Sequence, residues 1–190
     1  MQPFLKNNLS KTYLIIIIED DVTLNTLIQK TLQKHGYQTK GFHTGHEAIE
    51  WIRDYPYSNI FLLLDYQLYE MSGVQVVNQL RSFNIEVPFV IITGHGDEKT
   101  AVEMMKLGAL DYMIKDSTFI DLLPSVVQQA LTHLELQLRF AQSQEALRKS
   151  EEKYRRIFEN IQDIYFELSL EGLILELSPS AQAIDRKSVV

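Results

Sequence analysis

Two apolar runs in this chain break off in carboxylates. Phe61-Leu62-Leu63-Leu64 stops at Asp65, and Tyr13-Leu14-Ile15-Ile16-Ile17-Ile18 stops at Glu19-Asp20-Asp21. Two further runs end in polar groups of other kinds: Pro88-Phe89-Val90-Ile91-Ile92 at Thr93, and Tyr112-Met113-Ile114 at Lys115. If the first two runs are parallel neighbouring strands, their carboxylates meet at one edge, and several like charges crowded together call for a cation, so Glu19-Asp20-Asp21 and Asp65 mark a candidate metal site. Taken singly, each residue has a plainer role. Acids cap strand ends and the helices that follow, a strand-end Thr is an ordinary β-branched strand former, and Lys115 or Tyr112 can be a surface side chain. At successive strand ends, the four groups together are a specific signal.

The elements that must position them follow from the pattern between them. A short unbroken apolar run reads as a strand buried on both faces, as in the middle of a parallel sheet. An ionised Asp inside such a strand is costly, so Asp65 belongs at its carboxyl end, facing the crevice where open α/β sheets build their sites. Leu24, Leu27, Ile28 and Leu32 recur at helical spacing up to His35-Gly36. Tyr37–Phe42 reads as a short strand, and Ala48, Ile49 and Ile52 mark a helix stopped by Pro56. Val76, Val77 and Leu80 mark a third helix from Gly73, and Glu98–Leu107 a fourth, stopped by Gly108. A fifth starts near Phe119, with Pro124 placed in its first turn, where no intrahelical N–H partner is needed. Strand and helix thus alternate five times over roughly 130 residues, and right-handed crossovers make the sheet parallel and doubly wound.

The chain has 190 residues, room for one domain and part of a second, and 45% of them are hydrophobic, enough for a real core. A net charge of −7 argues against a general nucleic-acid-binding surface, and no direct nucleic-acid binding is expected. The absence of Cys excludes disulfides and thiolate metal sites. Met1–Thr12 lacks the apolar run of a signal peptide, and no stretch approaches a membrane span, so a cytoplasmic protein without membrane contact is expected.

Over roughly Lys11–Leu134 the sequence resembles the receiver domains of two-component phosphorelay signalling. The motifs that carry the resemblance are the acidic pair before the first helix, the strand-ending Asp65 with Gly73 eight residues on, the strand-ending Thr93 and the final Lys115. The resemblance implies a flavodoxin-like five-stranded parallel sheet of order 2-1-3-4-5. It implies that Asp65 accepts a phosphoryl group from a histidine kinase or phosphotransfer protein. Glu19, Asp20 and Asp65, with the backbone carbonyl of Gln67, would bind Mg2+ or Mn2+. Thr93 would hydrogen-bond the phosphoryl group, Lys115 would pair with one of its oxygens, and the ring of Tyr112 would report the switch. The chemistry suits those residue types, because charge spread over a transferring phosphoryl group needs a cation and a positive point charge beside it. His95 and Gln67 flank the site at positions thought to influence phosphoryl lifetime in this family, and His95 is not expected to be a metal ligand. Two positions depart from the family pattern: Tyr69 and Asp116 stand where many receivers have Pro.

After Leu134 there is no Gly or Pro until Gly172. Leu136, Phe140, Ser143, Leu147, Ser150, Tyr154, Ile157 and Ile161 fall on a 4-3-4-3 heptad seam, weakened by its two serines. A continuous helix from Asp121 to Glu159 would run about 58 Å. A homodimer through Leu136, Phe140, Leu147, Tyr154 and Ile157 is expected; the alternative is a solvated helix held by charge pairs such as Glu151 and Arg155. Ser150–Ile161 is similar to the leading helix of a PAS sensory domain, and Ile164–Leu168 with Leu173–Leu177 then reads as its first hairpin, around Glu171-Gly172. The expected layout is a receiver over residues 1–131, a coiled-coil linker over 132–157 and a partial PAS-like segment over 158–190. Two other readings differ in function: a receiver-like interaction scaffold that never takes phosphate, against which Asp65, Glu19, Asp20, Thr93 and Lys115 argue, and a flavin- or nucleotide-binding enzyme. Against the latter, no Gly-rich phosphate loop follows the first strand.

Overall fold

The computed structural model of the protein describes residues 13–55, 59–94, 98–160 and 165–180. The elements in chain order are β1 (Leu14–Ile18), α1 (Val22–Lys34), β2 (Gln38–Phe42), α2 (Gly45–Asp54), β3 (Ile60–Asp65), α3 (Gly73–Ser82), β4 (Phe89–Thr93), α4 (Glu98–Lys106), β5 (Asp111–Ile114), α5 (Phe119–Asn160), β6 (Phe166–Leu168) and β7 (Ile174–Leu177). The first five strands form one parallel sheet in the order β2-β1-β3-β4-β5. The parallel, doubly wound sheet is the one expected from the alternation, and its flavodoxin-like order is the one the resemblance implies.

The alternation of side chains along each strand splits the core in two. Ile16, Ile18, Leu62, Leu64 and Ile91 pack with α2, α3 and α4 through residues such as Ile49, Val76, Leu80 and Met104. Ile15, Ile17, Phe61, Leu63, Val90, Ile92 and Met113 pack with α1 and α5 through Ile28, Leu32, Leu123, Val127 and Leu131. β3 lies in the middle, with all six of its residues buried, which is why its sequence is unbroken and apolar up to Asp65.

Two local details differ from the pattern. In α1, Ile28 and Leu32 are buried as spaced, but Leu27 is exposed and Asn25 is fully buried instead. The core-facing stripe of α1 runs through positions 25, 28 and 32, so Leu27 falls beside it. In α5, Pro124 is the sixth residue, in the second turn rather than the first. Its missing N–H removes one intrahelical bond, while its ring is buried in the stripe that α5 turns to the sheet.

The chain divides between Leu136 and Gln137 into two compact units. In the second, β6 and β7 pair antiparallel, and the turn between them places Gly172 at φ +82°, a conformation open to glycine. The Tyr154 hydroxyl donates to Glu176 at 2.9 Å. Phe158 stacks on Tyr154 and meets Tyr165 edge-on. Among the described residues no helix is long and apolar enough to cross a membrane.

Candidate functional site

Register brings the four strand ends together. Ile18 pairs with Leu64, so Glu19 and Asp65 stand at one level on neighbouring strands. Asp65 pairs with Ile92, and Thr93 with Ile114, which sets Thr93 and Lys115 successively further along. Asp65 continues the alternation of Phe61 and Leu63, Glu19 that of Ile15 and Ile17, and Lys115 that of Met113. The three therefore fall on the α1/α5 side of the sheet edge. Lys115 crosses the end of β4 to reach them, a span of about 10 Å between alternate strands that its four-methylene stem and the carboxylates bridge together.

Its ammonium lies 2.7 Å from Asp65 Oδ2 and 2.8 Å from Glu19 Oε2. Its backbone N–H donates to the Thr93 carbonyl at 2.8 Å, tying the loop after β5 to the end of β4. The other Asp65 oxygen, Oδ1, accepts the Gln67 N–H at 3.2 Å. Asp65 is only 4% exposed and Glu19 1%. Asp20 is half-buried, and its Oδ2 accepts the Tyr69 backbone N–H at 2.9 Å. One carboxylate oxygen each from Glu19, Asp20 and Asp65 lies within 4.8 Å of the others.

The electrostatics follow from this crowding. Burial pushes the Glu19 carboxyl above the usual carboxylate range; Lys115 pulls it back only in part, and the negative charge of Asp65 adds to the rise. Burial alone would lower Lys115, but its hydrogen bonds to Asp65 and Glu19 and their charges outweigh that and raise it, so the ammonium stays charged. Three carboxylates crowd together here, and Lys115 pairs with two of them, Glu19 and Asp65. An all-carboxylate donor set with spare negative charge fits a hard divalent cation such as Mg2+ or Mn2+.

Thr93, 5% exposed at the end of β4, holds its hydroxyl 3.5 Å from the Gly94 carbonyl. Tyr112 sits on edge strand β5 and is 45% exposed. Gln67 is in the loop beside Asp65, bridged to Ser72. Asp21, next to the cluster, is the N-cap of α1 and accepts from the Thr23 and Leu24 N–H groups. His95, Pro56 and Ile161 lie outside the described residues, as do Ile164 and Met1–Thr12. The seam residues Leu136, Phe140, Leu147, Tyr154 and Ile157 are all exposed on α5.

Several positioning residues carry no mark in a strand-end reading. Buried Asn25 donates through Nδ2 to the carbonyls of Glu19 (3.0 Å) and Phe42 (2.8 Å), joining α1 to the ends of β1 and β2. Gln29 donates to its Oδ1 at 2.8 Å. A Cβ at Gly41 would stand 2.2 Å from that oxygen, so the glycine inside β2 is the sequence signal for this close approach. Gly73 packs against the carbonyl of Asp65, where a Cβ would come within 3.1 Å, and its N–H donates to Tyr66 at 2.7 Å. Ser72 and Gln75 then close a capping box that starts α3. Glu70 accepts from the His46 N–H at 3.1 Å, fixing the same loop to the start of α2.

The comparisons with known proteins fall on this same sheet. The chain is 34% identical over 119 residues to the transcriptional regulatory protein ZraR of Salmonella typhimurium, covering 63% of this chain and 26% of that protein. It thus spans about a quarter of that relative's length. Among solved structures it is similar to FixJ-N, at 28% identity and a TM-score of 0.53, covering 62% of this chain and 94% of that one. It is also similar to the N-terminal domain of a response regulator/sensory box/GGDEF three-domain protein from Carboxydothermus hydrogenoformans, at 28% identity and a TM-score of 0.58, covering 66% and 98%. The model of the response regulator receiver domain matches residues 15–127, from within β1 to the part of α5 that packs on the sheet. With that match spanning more than half of the 190 residues, and the acidic strand ends inside it, the chain belongs to the receiver domains of two-component response regulators.

Proposed function

We propose that this receiver is a phosphoacceptor, with Asp65 as the group that takes the phosphoryl from a phosphohistidine of a histidine kinase or phosphotransfer protein. The observation that carries this reading is a carboxylate at the end of the central strand, held from both sides by Lys115 and the Gln67 N–H, beside two more acids. An oxygen of Asp65 attacks phosphorus as the bond to the imidazole nitrogen breaks, and the histidine leaves with its electron pair. Glu19, Asp20 and Asp65, with the Gln67 carbonyl, would hold Mg2+ or Mn2+, which supplies positive charge to the phosphoryl oxygens. Lys115 is already in place to follow an Asp65 oxygen into the product. Thr93 offers a hydroxyl to the new acceptor, and Tyr112, half out in solvent, has room to turn inward as the strand end rearranges.

Along α5 the ion pairs of Arg148 with Glu145 and Glu152, and of Lys149 with Glu145, lie off the Leu136–Phe140–Leu147–Tyr154–Ile157 seam. Charges on one side and an exposed apolar stripe on the other suit a parallel helix pair, which would relay the change at Asp65. The layout we favour is a receiver over 1–131, a coiled-coil linker over 132–157 and the start of a PAS-like domain over 158–190. The hairpin β6–β7 supports the last of these, as does the likeness to the first domain of a response regulator/sensory box protein. Intact-mass measurement after treatment with a small phosphodonor tests the central step: one phosphoryl group is expected with Mg2+ present and none with chelator. No addition under either condition would favour the interaction scaffold.

A further inference from the structure

Tyr69 is 98% exposed, yet its backbone is held. Its N–H donates at 2.9 Å to Oδ2 of Asp20, forty-nine residues earlier and on a different loop. The hydrogen bond joins the loop after β3 to the acidic loop after β1. The loop after β3 is also anchored by Glu70 on the His46 N–H, by Gly73 on the Tyr66 carbonyl and by the Gln67 N–H on Asp65 Oδ1, but of these bonds it is that of Tyr69 that reaches Asp20.

The bond has two consequences for Asp20. A charge-assisted hydrogen bond from a backbone N–H holds the carboxylate in one orientation. With Oδ2 committed to Tyr69, Oδ1 keeps its lone pairs for a cation, and an oxygen of Asp20 stays within 4.8 Å of those of Glu19 and Asp65. An unheld Asp20 at a half-exposed position would have to be ordered each time a cation binds. What the contact needs from position 69 is an N–H and nothing of the ring, and proline is the one residue that lacks it.

We infer that Tyr69 is a positioning residue whose backbone N–H presets Asp20 for the divalent cation, so that the phenol ring is dispensable and the amide is not. This rests on the reading of Glu19, Asp20 and Asp65 as the cation site. The same hydrogen bond couples cation and loop, since ordering Asp20 orders the segment from Tyr66 to Ser72 that borders Asp65.

The test compares Tyr69→Ala, Tyr69→Pro and Asp20→Ala by titration calorimetry with Mg2+ on the full chain. Tyr69→Ala is expected to bind Mg2+ within twofold of the native protein, and Tyr69→Pro roughly three- to tenfold more weakly, the range of one ordinary net hydrogen bond. Equal affinities for the two variants would overturn the inference. Because proline also constrains Leu68, amide hydrogen exchange supplies a second readout that leaves position 69 intact. The Tyr69 amide should exchange slowly in the native protein and in the absence of Mg2+, and at least tenfold faster in Asp20→Ala. Equally fast exchange in both proteins would overturn it as well. If Asp20→Ala leaves Mg2+ affinity unchanged while the Tyr69 amide is protected, the cation site is wrong and the hydrogen bond stands, so positioning for the cation falls with the site.

Discussion

Asp20 and Asp21 are consecutive carboxylates with separate tasks. Asp21 is engaged by two N–H groups at the start of α1, while Asp20 takes the Tyr69 N–H and offers an oxygen to Glu19 and Asp65. Removing Asp20 should weaken Mg2+ binding by at least tenfold, whereas Asp21→Ala should leave it within twofold and lower stability by about 1 kcal/mol through the lost cap. Calorimetric titration and urea denaturation of both variants check this, and equal loss of Mg2+ affinity in the two would place the register of β1 one residue off. At this scale the acids, Thr93 and Lys115 were legible because strand ends in a parallel sheet are where polar groups interrupt apolar runs. Asn25 and the Tyr69 amide were not. A buried Asn inside an amphipathic helix looks like any polar residue of its solvent face, and a backbone donor leaves no trace in residue type.

The elements themselves were readable for the same reason that they are stable. β1, β3 and β4 are buried on both faces and therefore almost wholly apolar, and α2 and α3 show their core stripes at helical spacing. β2 was harder, because Gln38-Thr39-Lys40-Gly41-Phe42 is an edge strand with little burial, and only Gly41 betrays its contact with α1. That contact can be measured. Asn25→Ala removes two hydrogen bonds to strand-end carbonyls and leaves a void, an expected loss of roughly 2–3 kcal/mol. Gly41→Ala forces a Cβ against Asn25 Oδ1 and should cost about 1–3 kcal/mol. In the double variant the steric conflict is gone, and Gln29 is free to swing away from its lost acceptor. The two losses should thus fall short of additivity by about 1 kcal/mol in urea denaturation. Strict additivity would mean that Gly41 and Asn25 do not constrain each other. The position of Pro124 was misjudged because a proline is expected at the start of a helix. Here its apolar ring fills the buried stripe of α5, and that packing compensates for one absent backbone bond.

For the whole molecule, the sheet that belongs to the receiver family and the long helix α5 are joined in one chain, and the heptad seam begins where α5 has finished covering the sheet. Leu131 is fully buried, whereas Leu136 and Phe140 are exposed. A parallel partner helix would cover that stripe, so the chain is expected to be a dimer by light scattering at micromolar concentration, and Phe140→Glu with Leu147→Glu a monomer that retains the receiver's helical signal. A monomeric native chain would leave α5 as a solvated helix held by pairs such as Arg148–Glu145. The function of the receiver turns, however, on where phosphate goes. The most direct measurement is phosphorylation with a small phosphodonor and Mg2+, followed by borohydride reduction of the acyl phosphate and peptide mapping. The aspartate at position 65, and no other carboxylate, should be converted to homoserine, and Asp65→Ala should yield none. Reduction at Glu19 or Asp20, or label that persists in Asp65→Ala, would contradict Asp65 as the acceptor.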